Sequence, residues 1–292
     1  MKRMIMILAL LAIAPAALAE TIDESADVHP RGEVEVSNVA GTVRVEGWDR
    51  DQVRVTGELG RGAERLEFRA EDRHTLVKVI YPKSSRSSGG TDLVIRMPVA
   101  SRLSVNAVSA DIGVAGVDGA QRLQSVSGNI ETEIRGEDVR IETVSGDLVL
   151  RGHGESALVS VTTVSGDVDL RDLRGEVNVQ SVTGDVDLES RDLERLRIRT
   201  TNGDVEARAG MAERGTIEME AINGDLRLDI LGTVDAEFDI ETFNGSIRND
   251  FGPEPRRKSQ YQPGTTLRFT EGEGNGRVRI KTLNGGITLR GE

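Results

Sequence analysis

The sequence predicts an all-β fold in which short coils of 18 to 21 residues stack in parallel. Three observations predict it. A glycine-centred phrase recurs at nearly constant spacing, polarity alternates with period two around each copy, and the 292 residues hold 33 glycines but only 3% aromatics. Such a composition asks for tightly spaced turns around an aliphatic interior.

The chain opens with Met1-Lys2-Arg3, an apolar run from Met4 to Leu18, and Ala17-Leu18-Ala19 before Glu20. A basic start, an apolar core and small residues before a cut are the pattern of a secretory signal peptide, so residues 1–19 are expected to be removed. The alternative is an N-terminal anchor, but the run is shorter than the ~20 residues that span a bilayer. No later segment is apolar for long enough, so no transmembrane span is expected in the mature chain. Loss of Lys2 and Arg3 takes 37 basic residues to 35 against 49 acidic ones, and the net charge from -12 to -14. Nucleic acid is thereby excluded as a natural partner. Without cysteine there is neither a disulfide framework nor a thiol for lipid, and packing must hold the fold together.

Residues 20–105 are expected to form an N-terminal β cap and first coils. Alternating strands run through Val34, Val36, Val43, Val45, Val53 and Val55, and again through Leu93, Ile95, Leu103 and Val105, without the tight repeat. A cap is needed because a bare end coil exposes its interior and a pairing edge. The polar run Lys83 to Gly90 reads as a loop.

Residues 106–292 carry the repeat. Ser125-Val126-Ser127-Gly128-Asn129 recurs as Thr143-Val144-Ser145-Gly146-Asp147, Thr163-Val164-Ser165-Gly166-Asp167 and Ser181-Val182-Thr183-Gly184-Asp185. It drifts to an Asn-Gly form at Asn202-Gly203, Asn223-Gly224, Asn244-Gly245 and Asn284-Gly285. From Gly128 the glycines lie 18, 20, 18, 19, 21, 21 and 40 residues apart. A stacked array should show ladders, and it does. Leu123, Ile141, Val161, Val179, Ile198, Met219, Ile240 and Ile280 form an aliphatic row, while Ser125, Thr143, Thr163, Ser181, Thr200, Ala221, Thr242 and Thr282 keep the position two residues on small. A leucine-rich repeat lacks its framework here, and a propeller blade needs about 40 residues. The remaining competitor is an antiparallel hairpin at each Asn-Gly. It accounts for the turns but not for the period of the whole coil.

The gap between Gly245 and Gly285 is close to two periods, with Thr265 to Phe269 as the strand of the missing rung after an irregular excursion at 249–264. Phe238, Phe243, Phe251, Tyr261 and Phe269 cluster here. They suit a C-terminal plug or, with Arg256, Arg257 and Lys258, an exposed recognition patch.

Chemistry is sparse. His29, His74 and His153 stand alone, without the spacing of zinc ligands. Asp147, Asp167, Asp185, Asp204 and Asp225 fall into a column, with Asp169 and Asp187 beside it. Neighbouring carboxylates would repel by about 1 kcal/mol even in water, so turn capping, arginines such as Arg171 and Arg191, or bound cations must relieve them. Weak calcium binding is one alternative. A glycoside hydrolase or lyase on a β-helix is another, but it should concentrate acid, base and sugar-stacking aromatics in one groove. No catalytic, cofactor-binding or metal residue is nominated and no cofactor is expected.

The repeated Ser-Val-Ser-Gly-Asp and Asn-Gly-Asp phrases, with Val39-Ala40-Gly41-Thr42-Val43 and Gly47-Trp48, resemble the bacterial "putative adhesin" family, a β-strand-repeat family of unknown function. The resemblance spans about 31–291. It implies a right-handed parallel β-helix at the cell envelope, periplasmic or associated with the outer membrane, without catalytic residues. An envelope scaffold or interaction protein follows, with an envelope protein or polysaccharide as the expected partner and an oligomeric state the sequence leaves open.

Overall fold

The computed structural model describes residues 21–82, 89–258 and 263–291. The signal segment, most of the polar run after Lys83 and Tyr261 lie outside these residues. The fold is all-β with mixed strand topology, and every described strand joins one continuous hydrogen-bonded sheet.

Its centre is built from parallel rungs. In each coil one strand leads into the glycine turn and a second leaves it, and each kind pairs only with its own kind on the neighbouring coil. The leading strands Gln121–Ser127, Val139–Ser145, Ser156–Ser165 and Arg174–Thr183 form one parallel ladder, continued by the later parts of Val186–Asn202 and Val205–Asn223. The trailing strands Ile130–Ile134, Leu148–Gly152 and Val168–Arg171 form the other, continued by the early parts of the same two long strands. Val161 lies opposite Val179, and Ser181 opposite Thr200. No hairpin forms across Gly184, because the strands before and after it pair in parallel through the next coil.

Alternation of polarity fixes which side chains enter the interior. The aliphatic row from Leu123 to Met219, together with Ile240 and Ile280, is wholly excluded from solvent. Full burial of one such side chain is worth roughly 1.5–3 kcal/mol, which a stack collects on every coil. Two residues on, Ser125, Thr143, Thr163, Ser181 and Thr200 are buried where the backbone closes toward the turn. The Thr143 and Thr163 hydroxyls there donate to the carbonyls of Ser145 and Ser165, each at 3.3 Å.

The ends depart from sequence order. Glu33–Trp48, the first rung along the chain, has Arg102–Ala115 on one side and the later strands His74–Ile80 and Thr91–Pro98 on the other, all parallel. Gln52–Glu58 and Arg65–Glu71 then close that end antiparallel, and Thr21–Asp27 adds to the former. The other end repeats the device. Gly276–Asn284, the last leading strand, slots between Val205–Asn223 and Ala236–Asn244. Ile287–Gly291 likewise slots between Leu226–Ile230 and Ile247–Asn249. Thr265–Glu271 is therefore not a parallel rung of the gap, as its spacing suggested, but an antiparallel lid on Ala236–Asn244. The aliphatic row runs Met219, Ile280, Ile240, Leu267. Placing each terminal rung one step inside pairs both of its edges, and the antiparallel strands Gln52–Glu58, Arg65–Glu71 and Thr265–Glu271 interrupt parallel addition at the two ends.

Aromatic packing secures the C-terminal lid. Phe238 stacks on Phe269 with centroids 4.4 Å apart, and Phe251 meets both rings edge-on at 5.6 and 5.8 Å. These three act as a plug, whereas Arg256 and Arg257 are exposed on a short strand paired to the lid and Lys258 is bound to Glu241. Carboxylates tie the same region down. Asp235 accepts from the Asn275 side chain and from the Gly274 and Asn275 amides, which hold its carboxyl below the usual range. Lys258 does the same for Glu241. Burial is the largest single influence on Asp239 and raises it, but the 2.8 Å hydrogen bond from Arg268 together with the charges of Arg268, Lys281 and Arg279 makes the net direction downward.

Groups whose folded pKa is depressed stabilise above their unfolded value, and that contribution is lost as pH falls through the folded one. The lid is therefore expected to loosen first in acid. Amide hydrogen exchange below the ordinary carboxylate range should show Ala236–Asn244 and Thr265–Glu271 losing protection before Val139–Ser145; uniform loss along the stack would contradict this.

Candidate interaction surface

The turn edge is where the repeat does its most specific work. Gly146, Gly166 and Gly184 hold φ of 124°, 122° and 120°, a region that side chains disfavour. A Cβ on Gly166 would also stand 2.2 Å from the Gly146 carbonyl oxygen. Only glycine lets successive coils approach this closely, so the turns stack in strict register.

That register converts the aspartate column into a ladder of hydrogen bonds. Asp111 Oδ1 accepts from the Asn129 amide at 2.8 Å, and Asn129 Oδ1 from Asp147 at 2.9 Å. Asp147, Asp167, Asp185 and Asp204 each accept from the next coil at 2.8–3.1 Å, and Asp225 from Gly286 at 2.7 Å. Charge-assisted bonds to backbone N–H offset the mutual repulsion expected from the sequence. Arg171 serves another row. It bonds Asp169 at 2.5 Å and Glu189 at 3.2 Å, while burial and then Glu206 push the Asp187 carboxyl up from its usual range. An asparagine ladder runs beside the column in spatial order: Asn223 Nδ2 donates to Asn202, Asn284 to Asn223 and Asn244 to Asn284, at 2.7–2.8 Å.

Because Asn129 already fills one position of the column, Asp167→Asn with Asp185→Asn should fold normally, with stability equal or higher by up to about 1 kcal/mol. Asn keeps the accepting oxygen and removes charge. Thermal unfolding with and without calcium checks it; a loss of several kcal/mol restored only by calcium would establish a metal site instead.

Just before each glycine stands a feature the sequence reading passed over. Val39, Val108, Val126, Val144, Val164, Val182, Ile222, Leu283 and Phe243 are each 38–48% exposed, and with Leu158 they are all of the exposed large hydrophobics among the described residues. Strand register aligns them, with half-buried Thr201 between Val182 and Ile222, in one row that follows the spatial order of the rungs. Phe243 belongs to this row rather than to the plug. The signal was present: Val177, Val179 and Ser181 point inward, so Val182 must point outward.

Beside the row, the outer face of the leading strands holds an open groove of about 680 Å³. Ser160, Asn178 and Leu158 lie across its middle, between Arg122 and Arg140 on one side and Arg195 and Arg197 on the other. Three carboxylates line it, Glu33, Asp138 and Glu176, and no aromatic ring does. Arg195 bonds Glu176 at 3.2 Å and Arg197 approaches Glu218 at 2.6 Å, so the arginines on that side are already engaged by carboxylates. The histidines are scattered, with His74 3.7 Å from Glu35 and His153 3.5 Å from Glu133. Among the described residues no group of three or more His, Cys, Asp or Glu is placed to hold a metal ion, and no helix is long and apolar enough to cross a membrane.

Similar solved structures include a putative adhesin of Bacteroides fragilis, 14% identical over 94% of this chain and 98% of that one, with a TM-score of 0.36. A putative cell adhesion protein of Clostridium sporogenes is 9% identical over 94% and 100%, with a TM-score of 0.24. A putative adhesin of Parabacteroides merdae is 9% identical over 92% and 96%, at 0.28. Overlap this loose carries no argument about the surface. No curated protein matches the chain. Residues 33–290 match the family model described as Toastrack DUF4097, and with that share of its length covered the chain belongs to this family.

Proposed function

We propose that the mature chain, beginning at Glu20 after loss of residues 1–19, is a non-catalytic interaction module of the bacterial cell envelope. In this reading it is a right-handed parallel β-helix, with a cap and first coils over 20–105 and the repeat region over 106–292, held in the periplasm or at the outer membrane. The observation that carries the proposal is the exposed aliphatic row. Contiguous apolar surface of this extent on a water-facing edge marks a contact with another macromolecule. It favours a protein partner over a polysaccharide, because sugars stack on aromatic rings and gain little from branched aliphatic side chains. The groove lends no support to a glycosidase reading, since its carboxylates are few, one of them, Glu176, is bonded by Arg195, and no aromatic ring lines it.

A photoreactive residue placed in turn at Val164 and at Ser160 tests this in intact envelopes. Protein adducts at Val164 and none at Ser160 are expected. Adducts confined to Ser160, or to polysaccharide, would overturn the reading. Mass spectrometry of the same material should show the chain starting at Glu20, and retention of Met1 would remove the export step.

A further inference from the structure

Resting on the reading of this edge as a contact surface, we propose that its partner is a second copy of the same chain, packed row against row in antiparallel orientation. Pitch is the first argument. Successive rungs repeat about every 4.8 Å, so the row offers one side chain at each such step, apolar at every step but Thr201. A helix laid along it repeats every 5.4 Å, and an extended strand presents same-side residues about every 6.6–6.8 Å, so either falls out of step within a few rungs. Another stack of rungs keeps step along the whole row.

Area is the second argument. The row presents on the order of 700 Å² per copy, and two rows face to face would bury about 1,400 Å², inside the ~1,200–2,000 Å² of stable protein interfaces. A narrower stripe would not suffice alone.

Shape sets the orientation. Along the stack the row reads Val39, Val108, Val126, Val144, Val164, Val182, Thr201, Ile222, Leu283, Phe243, with small residues at one end and large at the other. A parallel pair would set Phe243 on Phe243 and leave a wedge toward Val39. The antiparallel pair sets Phe243 on Val39, Leu283 on Val108 and Ile222 on Val126, with a two-fold axis between Val164 and Val182, and the summed side-chain depth stays nearly even. Charge argues against the obvious competitor. The column Asp147, Asp167, Asp185, Asp204 and Asp225 borders the row and is exposed, which would repel an anionic bilayer surface. The same two-fold lays both carboxylate columns along one edge of the pair, so added salt should tighten the association by screening them.

The absence of cysteine makes the test direct. In sedimentation of the purified mature chain, dimers should form at micromolar concentration and strengthen with salt. Val164→Lys with Val182→Lys should weaken the dimer at least about tenfold while leaving the thermal transition in place, both positions being exposed. Val126→Cys mixed with Ile222→Cys should cross-link under mild oxidation, and Val126→Cys alone should not. Cross-linking of Val126→Cys alone would overturn the antiparallel arrangement. A wild-type chain that stays monomeric, or a dimer indifferent to the lysine pair, would overturn the inference altogether, as would a monomer that floats with anionic phospholipid vesicles. Envelope adducts at Val164 carrying a different protein, together with a monomeric purified chain, would remove the second copy while leaving the contact surface in place.

Discussion

Replacing Val179 by Asp is expected to unfold the middle of the stack. Its side chain is fully buried, with aliphatic Val161 opposite it on one rung and Ile198 on the next. An unpaired carboxylate there, added to the lost aliphatic contacts, should cost about 4 kcal/mol or more. Coils on either side should fail with it, since each rung is both floor and ceiling for its neighbours. Gln180 is exposed on the same strand, and Gln180→Lys should stay within about 0.5 kcal/mol of wild type. Denaturant titration of both variants by far-ultraviolet circular dichroism checks the contrast; equal tolerance at 179 and 180 would contradict the inward assignment.

Removing the last rung should be equally severe, for a different reason. Deletion of residues 276–292 takes out Val278, Ile280, Ile287 and Leu289, all fully buried, from between two pairs of strands. The direct burial lost is roughly 6–12 kcal/mol. In a stack built in sequence order the same deletion would only shorten the end by one coil. Here it leaves a gap beneath Ala236–Asn244 and its antiparallel lid, so residues 231–271 should become protease-sensitive while Gln121–Thr183 stays protected. Limited proteolysis with mass mapping reads this. A truncated protein as resistant in 231–271 as the full chain would show that Ala236–Asn244 can close directly on Val205–Asn223.

Much of the fold was legible because a period of two fixes which face each residue occupies, and a repeat of near-constant length fixes which residues align. The row from Leu123 through Met219 follows from those two facts alone. Rung order at the ends was not legible. Gly276–Asn284 carries the same pattern as any other leading strand, and what decides its place is the pairing of exposed edges, a property of the whole stack. The aspartate column shows the same division. Its alignment could be read, but its relief could not, because that depends on a backbone N–H one coil away and Arg171 lies in a different row. Asn178, whose parity beside Val179 turns it outward, is nevertheless half-buried across the groove. The exposed apolar row is legible too: Val126, Val144, Val164 and Val182 stand inside the turn phrase, and their parity alone places them outside.

The most direct test of the account is the distance along the turn edge, because the row and the inserted terminal rung both follow from it. Spin labels at Val126 and Leu283, and separately at Val126 and Phe243, with labelled chain diluted into unlabelled chain, should give separations of roughly 29 and 34 Å, six and seven rungs of about 4.8 Å. Position 283 should be the nearer of the two. Position 243 nearer than 283 would restore sequence order at the end of the stack, and separations that do not grow with rung number would dissolve the row itself.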